Sequence, residues 1–498
     1  MAKKIAVIDL GSNSVRMVVF ERTSRYGFFI CSEHKKKVRL GENAYNNNKI
    51  LQEEAMLKTE KALAYFKEKA VKEKCRKIIA VGTSALRDAP NAKEFITRIS
   101  KNVGLNIKCI NGKTESFLGG LAALNLLSNI RNATTIDIGG GSTELCLIKE
   151  GKIIDCISLD LGTVRLKEIF YDTKRLNALD QFIQEALMQI PKHFQSENII
   201  AIGGSLRALS NSIMKKNSYP LKIIHNFSYS FEKEKNYIEK IQNAKNLTDF
   251  DIKKDRFDTI KEGCVIFLAL AKKLKAKNII TSAVGVREGV FLSNLFQKYA
   301  KIKNDTNDFS QFNAKFPPNF NPSLKSLQDR FGVDYKDKST YFASKLFDVL
   351  SPLHKISSDF KKDLLSAAKL AHIGEKINFY FANEHSAYMA MSGLNFGFSH
   401  KEILLIATLL KANGKKINSL TIEHVKELLP NNHILAWLNF ILALAKKLAK
   451  DSDENLDFTL KNHTLYIYST KKQIYFSREE IKKISKPKLI VLAFNQSN

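Results

Sequence analysis

Apolar and polar residues alternate in two different ways along the first 300 positions. Runs such as Ile5–Ile8 and Thr135–Ile138 are rich in β-branched residues and end at glycine-containing turns, which predicts strands. Apolar positions three and four residues apart over Leu51–Val71 predict an amphipathic helix. The same spacings predict further strands at Lys77–Val81, Asn106–Ile110, Lys152–Leu159, Asn198–Ile202 and Asn278–Thr281, with helices between them. This part of the chain is therefore predicted to be α/β.

The pattern after Pro322 is different. Amphipathic helical spacing continues to about Ala449, and apolar and polar residues then alternate over Phe458–Phe476, which predicts a short β stretch. Positions 302–322 are rich in Asn, Asp and Ser and contain three prolines, a composition typical of a linker. We therefore predict a first lobe at 1–130, a second lobe at 131–300, a linker at 301–322 and a mostly helical domain at 323–498.

Both α/β stretches open with the same motif. A strand leads into Asp9–Ser14 in the first stretch and into Asp137–Ser142 in the second, and an apolar strand then returns in each. A polar, glycine-containing turn between two strands predicts a hairpin. Two matching hairpins at corresponding places indicate an internal duplication.

The charge composition is strongly basic. The chain has 79 Lys and Arg against 50 Asp and Glu, which gives a formal net charge of +29. A positive field attracts nucleotides, polyphosphate, nucleic acid and anionic membranes alike. Lys is scattered through nearly every segment, so compositional drift explains the excess equally well. No nucleic-acid-binding module accompanies the charge, and an RNA-binding protein is the least supported interpretation.

Cysteine usage and hydropathy bear on the cellular location. The six cysteines lie far apart and none forms a C-x-x-C pair, which is typical of buried thiols in a reducing compartment. The sequence has no signal-peptide pattern, and its best apolar run, Leu438–Ala445, is too short to span a bilayer. We therefore predict a soluble cytoplasmic protein that does not interact with membranes.

The segment Asp137–Glu144 carries the clearest chemical signal. Its three consecutive glycines let the backbone approach a phosphate and present N–H groups to it. Asp137 ends one strand and Glu144 begins the next, so both carboxylates can lie beside the glycines, where they suit Mg²⁺ bridging to phosphate oxygens. A glycine-rich hairpin with two solvated acids would have the same sequence, but the matching turn at Asp9–Ser14 favours a two-sided phosphate clamp.

Three weaker signals are compatible with the clamp. Gly203–Ser205 lies between a strand and a helix, where the helix N-terminus favours anions. Thr83, Ser84 and Arg87 follow another strand and suit phosphate contacts. Glu115 lies in the first turn of a helix, where an acid interacts favourably with the helix dipole whether or not it is catalytic.

Six segments occur in an order and spacing that resemble one known family. They are Asp9–Arg16, Gly82–Asp88, Asp137–Glu144, Leu161–Leu166, Gly203–Arg207 and Gly285–Gly289. The family is that of the exopolyphosphatases and guanosine pentaphosphate phosphatases, and the resemblance is clearest over both predicted lobes. It implies the actin/Hsp70/sugar-kinase fold, with substrate bound between two ribonuclease H-like lobes, and a C-terminal, mostly α-helical HD-like domain.

The resemblance also implies roles for individual residues. Glu115 would be the general base that activates the attacking water, and Asp137 and Glu144 would hold Mg²⁺, with a monovalent cation as a further candidate cofactor. Arg87 would grip the polyanion. The complete set of phosphate-binding candidates is Asp9, Gly11, Ser12, Asn13, Ser14, Arg16, Thr83, Ser84, Arg87, Gly139, Gly140, Gly141, Ser142, Gly203, Gly204 and Ser205. The implied reaction removes the terminal phosphate of inorganic polyphosphate or guanosine pentaphosphate, and the implied assembly is a homodimer.

Two departures from the family pattern are visible. The family has two adjacent Glu residues at the Glu115 motif, and here the first is Thr114, so Glu115 must carry the role alone. In the helical domain, Ala371 and His372 stand where the family has a His–Asp metal dyad. This predicts no second hydrolase centre and leaves His372 and His385 as packing or polyanion-contacting residues.

Two alternative functions remain open at this point. An ATP-using kinase or actin-like ATPase would have the same fold and would need an adenosine pocket behind Gly203–Arg207. A regulator that binds guanosine tetraphosphate or polyphosphate with little catalysis would account for Thr114 and for the missing dyad. Turnover separates the second alternative from a hydrolase.

Overall fold

The chain forms two units, Met1–Phe320 and Asn321–Asn498. The computed structural model describes residues 3–300, 314–332, 337–451, 456–469, 475–488 and 490–496. Of the predicted linker at 301–322, positions 301–313 lie outside the described residues, and Pro322 is the first residue of a helix. The first unit contains two sheets, which correspond to the two predicted α/β stretches.

The first sheet is built on the predicted N-terminal hairpin. β1 (Lys3–Leu10) and β2 (Ser14–Arg22) pair antiparallel, which confirms the hairpin. β3 (Phe28–Lys37), which the sequence did not predict, pairs with β2 at the edge of the sheet. The segment continues through α1 (Glu53–Lys72), β4 (Lys77–Gly82), α2 (Ser84–Asp88), α3 (Ala92–Asn102), β5 (Ile107–Cys109) and α4 (Gly112–Leu126). The strand order is β3-β2-β1-β4-β5.

The second sheet repeats this order and confirms the duplication. Its elements are β6 (Ala133–Ile138), β7 (Thr143–Lys149), β8 (Lys152–Leu159), α5 (Thr163–Leu166), α6 (Leu179–Met188), β9 (Asn198–Ile202), α7 (Gly204–Lys216), β10 (Ser228–Ser230), α8 (Phe231–Asn243), α9 (Ile260–Leu274), β11 (Asn278–Thr281) and α10 (Val286–Ala300). The strand order is β10-β11-β9-β6-β7-β8, so that β8-β7-β6-β9-β11 corresponds to the five strands of the first sheet. The two ribonuclease H-like lobes predicted from the sequence are thereby confirmed.

Two helices tie the sheets together because each packs on the sheet of the other lobe. α4 contacts β7 and β8 of the second sheet, whereas α10 contacts β1 and β2 of the first. Phe291 of α10 stacks on Phe20 of β2 with ring centroids 4.3 Å apart. α4 and α10 cross so closely that a Cβ at Gly289 would clash with the Leu118 carbonyl. The first turn of α4 is therefore held next to the second sheet.

The second unit is mainly helical. Its helices are α11 (Pro322–Arg330), α12 (Ser339–Val349), α13 (Ser351–His354), α14 (Asp359–Lys369), α15 (Ala382–Gly393), α16 (His400–Ala412), α17 (Ser419–Ile422), α18 (Asn432–Asp451) and α19 (Tyr475–Lys482). The predicted β stretch at 458–476 is confirmed at its start by β12 (Asp457–Lys461) and β13 (Thr464–Ser469), but its end was wrong, because Tyr475 begins α19. β14 (Val491–Gln496) completes a sheet of three strands. Among the described helices of the whole chain, none has both the length and the apolar content needed to cross a bilayer.

The positions of the replaced metal dyad make other contacts. Ala371 is buried, and its carbonyl accepts a hydrogen bond from Lys446 Nζ at 3.1 Å. His372 Nδ1 lies 2.7 Å from Glu375 Oε1. His385 is partly exposed. The HD-like character of this unit stays a prediction.

A buried acid in α14 predicts a pH-dependent stability of the second unit. Asp363 is 7% exposed, and its Oδ1 has no hydrogen-bond partner in the described part of the chain. Burial and then the charge of the nearby Glu402 raise its pKa to about 7, against the opposing charge of Lys362. The folded state therefore holds a proton that the unfolded chain releases near pH 4, so this group's contribution to stability falls as the pH rises from about 4 to 7.

Asp363→Asn should remove this dependence and stabilise the unit by about 2–4 kcal/mol at about pH 8. Trp437 is the single tryptophan of the chain and is fully buried in this unit, so its fluorescence during urea unfolding reports on this unit. Asp457→Asn is the matched control, because Asp457 is 81% exposed and its ion pair with Lys345 contributes little. Equal urea midpoints for wild type and Asp363→Asn at about pH 8 would contradict the prediction.

Candidate active site

Most of the predicted site residues surround one cavity, here called the central cavity. It has a volume of about 150 Å³ and lies where the hairpin turns of the two sheets meet. The predicted residues that line it are Asp9, Gly11, Ser12, Asn13, Ser14, Arg16, Thr83, Ser84, Glu115, Asp137, Gly139, Gly140, Ser142, Glu144, Gly203, Gly204 and Ser205. Two predicted residues, Arg87 and Gly141, do not line it.

The two hairpin turns have the same backbone arrangement. In Gly11–Ser14 and in Gly139–Ser142, the glycine N–H donates to the carbonyl of the serine, at 3.2 Å and 2.9 Å respectively. The turns approach each other so closely that a Cβ at Gly140 would lie 2.9 Å from the Cβ of Ser12. The gap between them is thus narrow and lined by backbone, as a two-sided phosphate clamp requires.

Glu115 reaches the central cavity from the first turn of α4. The side chain of Asn111 caps this helix by accepting the Thr114 N–H at 2.8 Å. The Glu115 side chain is only 11% exposed. Burial raises the pKa of Glu115 well above its usual range and the charge of Glu144 raises it further, whereas Arg87 lowers it. A raised pKa makes the carboxylate a stronger base, so its setting suits proton abstraction.

Arg87 lies behind Glu115 rather than in the central cavity. Its Nη1 donates to Glu115 Oε2 at 2.9 Å, and its Nη2 donates to Ser142 Oγ at 3.2 Å. The same Nη2 is 3.9 Å from Glu144 Oε1. Arg87 therefore connects the acid of α4 to the glycine turn of the second sheet, and its contact with a polyanion stays a prediction.

Asp137 and Glu144 are directly opposite each other on β6 and β7. Glu144 Oε1 accepts hydrogen bonds from Ser142 Oγ at 2.6 Å and Ser158 Oγ at 2.8 Å, while Asp137 accepts none from any described residue. Burial raises the pKa of Asp137 to about 6. Burial and then the charge of Asp137 raise the pKa of Glu144 to about 7. A cation beside two close acids would stabilise both negative charges and so lower both pKa values.

The space beside the Asp137 carboxylate is kept open by glycine. Gly203 has a φ of +97°, which disfavours other residues, and a Cβ there would lie 2.8 Å from Asp137 Oδ1. Cβ atoms at Gly119 and Gly285 would lie 4.0 Å and 3.8 Å from Asp137 Oδ2. A larger residue at Gly203 would therefore occupy the position next to this carboxylate.

This donor set fits Mg²⁺. The groups are carboxylate and hydroxyl oxygens beside open space, and Mg²⁺ prefers oxygen ligands. Within the described residues, no cluster of three or more His, Cys, Asp or Glu side chains is arranged to hold a metal. Asp137 and Glu144 would thus be the protein ligands, and water and phosphate oxygens would complete the shell, as is usual for Mg²⁺.

Four arginines converge on one side of the central cavity. Arg16, Arg207, Arg256 and Arg287 all line it. Burial and then the charges of Arg16 and Arg287 lower the pKa of Arg207 to about 10. Burial, Arg287 and Arg256 lower the pKa of Arg16 in the same way. A guanidinium group whose pKa is lowered by its cationic neighbours is stabilised by an anion beside it.

A wider side cavity adjoins the central cavity through the same arginines. Its volume is about 860 Å³. Three acids line it, and the closest cation to each is Arg287 for Glu33 at 2.7 Å, Lys35 for Asp255 at 3.1 Å and Lys215 for Asp251 at 2.9 Å. Asp255 Oδ2 also lies 4.0 Å from Arg256 Nε. Its remaining cationic side chains, Arg16, Arg207, Lys222, Lys253 and Arg256, leave it positively charged. An extended polyanion can therefore continue from the central cavity into this space.

The sequence did not single out three of the four arginines. Arg207 and Arg287 stand inside the motifs Gly203–Arg207 and Gly285–Gly289, so the signal was present. Arg256 lies in a short 3₁₀ turn, Lys254–Arg256, and nothing distinguishes it from the many basic residues of the chain.

Comparisons with known proteins show to which family the chain is similar. The family model described as "Ppx/GppA phosphatase family" matches residues 18–298, which is more than half of the chain, and the model "Ppx/GppA phosphatase, domain III" matches residues 321–487. A relative from Vibrio campbellii, named guanosine-5'-triphosphate,3'-diphosphate pyrophosphatase, is 25% identical over 474 residues. The alignment covers 92% of this chain and 90% of the relative.

Solved structures support the fold of the first unit. A Ppx/GppA family member from Aquifex aeolicus has a TM-score of 0.51 and 26% identity, and the match covers 60% of this chain and 99% of that one. An exopolyphosphatase from Cytophaga hutchinsonii has a TM-score of 0.54 at 21% identity, covering 60% of this chain and 99% of that one, and shows the fold alone. With its two actin-like lobes and its match to two family models, the chain belongs to the Ppx/GppA phosphatase family.

Proposed function

We propose that this protein is a magnesium-dependent phosphoanhydride hydrolase that removes the terminal phosphate of inorganic polyphosphate, of guanosine pentaphosphate, or of both. One observation carries the proposal. The largely buried acid Glu115 lies beside the carboxylate pair Asp137 and Glu144 in a cavity whose walls are the two glycine turns. A base, a metal site and a phosphate clamp are together sufficient for hydrolytic phosphoryl transfer.

The proposed reaction uses the residues of the central cavity in the following way. The carboxylate of Glu115 accepts a proton from a water molecule as the water oxygen attacks the terminal phosphorus. The bond between that phosphorus and the bridging oxygen breaks, and the bridging oxygen leaves with the shortened phosphate chain. Arg87 keeps Glu115 in place through the hydrogen bond to Oε2. Bound Mg²⁺ would neutralise developing charge on the phosphate oxygens.

The remainder of the substrate would lie in the side cavity. Arg16, Arg207 and Arg256 line both cavities, so they can contact the phosphates that follow the reacting one. The excess positive charge of the side cavity suits both candidate substrates, since each carries further phosphates beyond the scissile anhydride. The name of the Vibrio campbellii relative, guanosine-5'-triphosphate,3'-diphosphate pyrophosphatase, is consistent with the second of these substrates.

Phosphate release in parallel assays tests the proposal. We expect the full-length protein with Mg²⁺ to release inorganic phosphate from long-chain polyphosphate or from guanosine pentaphosphate, and we expect chelation by EDTA to abolish it. Re-addition of Mg²⁺ should restore the activity. The ratio of kcat/KM values for the two substrates then decides the preferred one. Binding of both substrates without phosphate release would instead support the regulator.

A kinase or ATPase is the second candidate, because the side cavity lies beside Gly204, where an adenosine would have to bind. An assay of phosphate release from ATP, run with the same protein, addresses it. We expect kcat/KM for ATP to be far below that for the better of the two proposed substrates. A higher kcat/KM for ATP would favour the ATPase.

A further inference from the structure

The segment Leu161–Leu166 is one of the six motifs of the sequence, and the proposed mechanism gives it no role. It follows β8 and runs beside the Gly139–Ser142 turn, here called the glycine loop. Gly162 approaches the loop so closely that a Cβ there would clash with the Gly140 carbonyl oxygen. The contacts of the next three residues show why the two segments are held so close.

Thr163, Val164 and Arg165 hold three successive carbonyl groups of the glycine loop. Thr163 N donates to Gly139 O at 3.0 Å. Val164 N and Arg165 N donate to Gly140 O at 2.8 Å and 3.1 Å. The Gly141 carbonyl accepts from the side chain of Arg165, whose Nε lies 2.8 Å away. The carbonyl side of each peptide unit is therefore fixed.

A fixed carbonyl also fixes the N–H group of the following residue. The described chain has no cis peptide bonds, and in a planar trans peptide the N–H points away from the C=O. The N–H groups of Gly140, Gly141 and Ser142 therefore point away from the Thr163–Arg165 segment. No described residue accepts a hydrogen bond from any of the three. Donors that are aligned and unpaired in this way form an anion-binding nest.

Arg165 is itself rigidly held by the first lobe. It is 4% exposed, its Nη2 donates to Asp88 Oδ2 at 2.8 Å, and its guanidinium lies 4.6 Å from the centre of the Tyr45 ring. A Cβ at Gly141 would clash with the Tyr45 hydroxyl. The neighbour of Asp88 is Arg87, which holds Glu115. The glycine loop is thus positioned from the same short helix as the acid on α4.

The first lobe contains the same arrangement of backbone N–H groups that donate to the carbonyls of its hairpin turn. This independently supports the interpretation that such a segment orients the turn. The Ser12 carbonyl accepts from Gly41 N at 2.9 Å, and the Asn13 carbonyl accepts from Val38 N at 3.2 Å and Arg39 N at 3.0 Å. The segment 38–41 follows the third strand of its sheet, as 161–166 follows the third strand of the second sheet. In both lobes the chain returns after the third strand to hold the carbonyls of the first hairpin turn.

We propose that Thr163–Arg165 orients the glycine loop for phosphate binding and that Arg165 is a positioning residue. Its Nε fixes the Gly141–Ser142 peptide so that the Ser142 N–H faces the reacting phosphate. The identity of that phosphate as the terminal phosphate of a substrate rests on the proposed function, but the orientation of the loop does not. Arg165 acts through the backbone and does not touch the substrate.

Arg165→Lys tests whether the positive charge of Arg165 is sufficient or whether its Nε hydrogen bond to the glycine loop is needed. Lysine keeps the positive charge and can still pair with Asp88, but its single ammonium group cannot also make the Nε contact to the Gly141 carbonyl. We expect at least about tenfold weaker binding of inorganic phosphate by calorimetry with Mg²⁺ present, and about 100-fold lower kcat/KM, because small misplacements of binding groups are this costly. Amide hydrogen exchange of the peptide that contains 139–142 should become faster.

Two control variants show whether an effect of Arg165→Lys is due to the loss of the Nε contact. Arg175→Lys makes the same chemical change at an exposed arginine and should leave phosphate binding unchanged. Asp160→Asn removes the exposed partner of Arg165 Nη2, 3.2 Å away, but leaves the Nε contact to Gly141 intact, so it should have little effect. Unfolding temperatures of all variants, measured by circular dichroism, report any loss of folded protein.

The outcomes distinguish this inference from the proposed function. The inference is overturned if folded Arg165→Lys binds phosphate as tightly as the wild type does. It is also overturned if the wild type does not bind phosphate. A loss of phosphate binding that merely follows a fall in folded fraction also overturns it. If Arg165→Lys weakens phosphate binding but the wild type hydrolyses neither substrate, the inference stands and the proposed function fails.

Discussion

Glu115→Gln is expected to lower kcat about 1,000-fold on whichever substrate the wild type hydrolyses, since loss of a positioned general base typically costs 10²–10⁴-fold. Glutamine has nearly the same shape and can still accept the hydrogen bond from Arg87 Nη1, but it cannot take up the proton of the attacking water. KM should change little, because Glu115 is not part of the phosphate clamp. Single-turnover phosphate release at saturating Mg²⁺ measures the effect on the chemical step.

The stability of Glu115→Gln against unfolding shows whether Glu115 is an acid held in a destabilising, catalytic setting or an acid that only interacts favourably with the helix dipole. Burial and Glu144 raise the pKa of Glu115, so the charged carboxylate destabilises the folded state at about pH 8 and its removal should stabilise the protein. An acid that served only the helix dipole would contribute about 0.3–1 kcal/mol, which its removal would forfeit. We therefore expect a higher unfolding temperature together with the loss of activity.

Glu94→Gln is the matched control, because Glu94 also lies in the first turn of a helix, α3, but is exposed. It should keep full activity. Glu115→Asp retains the charge and withdraws it by one methylene, so we expect an intermediate kcat. Wild-type kcat in Glu115→Gln would remove Glu115 from the mechanism and leave the regulator as the better description of the protein.

The parts of the fold that the sequence predicted are those with a strong local pattern. The hairpins at Asp9–Ser14 and Asp137–Ser142 combine apolar strands with glycine turns, and both are present. β3 has a weaker pattern. Its second half, Ser32–Lys37, is polar on both faces because the strand lies at the edge of its sheet, where charged side chains are favoured.

The sequence could predict that site residues lie close together where each of them belongs to a turn at the end of a strand. Parallel strands of one sheet end at one edge, so turns such as Gly82–Ser84 and Gly11–Ser14 had to meet. Contacts that depend on side chains from distant segments could not be predicted. The hydrogen bond from Arg87 to Glu115 joins residues 28 positions apart, and the one from Arg165 to the Gly141 carbonyl joins residues 24 positions apart. No local pattern encodes contacts between side chains and segments that are this far apart in the sequence.

Asp137→Asn is expected to raise the Mg²⁺ concentration needed for half-maximal phosphate release about 100-fold. Removal of a residue that only hydrogen-bonds to a metal ligand typically lowers the affinity for the metal 10–100-fold. Removal of a direct ligand should lower it at least as much. Asp180→Asn, an exposed acid in the first turn of α6, is the control and should titrate like the wild type. An unchanged Mg²⁺ titration of Asp137→Asn would exclude Asp137 as a ligand.

The pH dependence of Mg²⁺ binding provides a readout that does not need turnover. The folded pKa values of Asp137 and Glu144, about 6 and about 7, are raised above their usual values of 3.8 and 4.5. The metal-free folded state therefore binds more protons than the unfolded chain between about pH 4 and 7, and it loses stability as the pH rises through that window. Mg²⁺ must displace these protons, so its affinity should increase over the same window.

We therefore expect Mg²⁺ to raise the unfolding temperature of the wild type more at about pH 8 than at about pH 6. Asp137→Asn removes one of the two negative charges, so it should be more stable than the wild type without Mg²⁺ at about pH 8, by about 1–3 kcal/mol, and gain little on addition of Mg²⁺. A Mg²⁺-induced shift that is equal at both pH values, or equal in wild type and variant, would place the metal elsewhere. A site that its acids destabilise without a cation, and that a bound cation stabilises, would account both for these closely placed acids and for the glycines that leave room beside them.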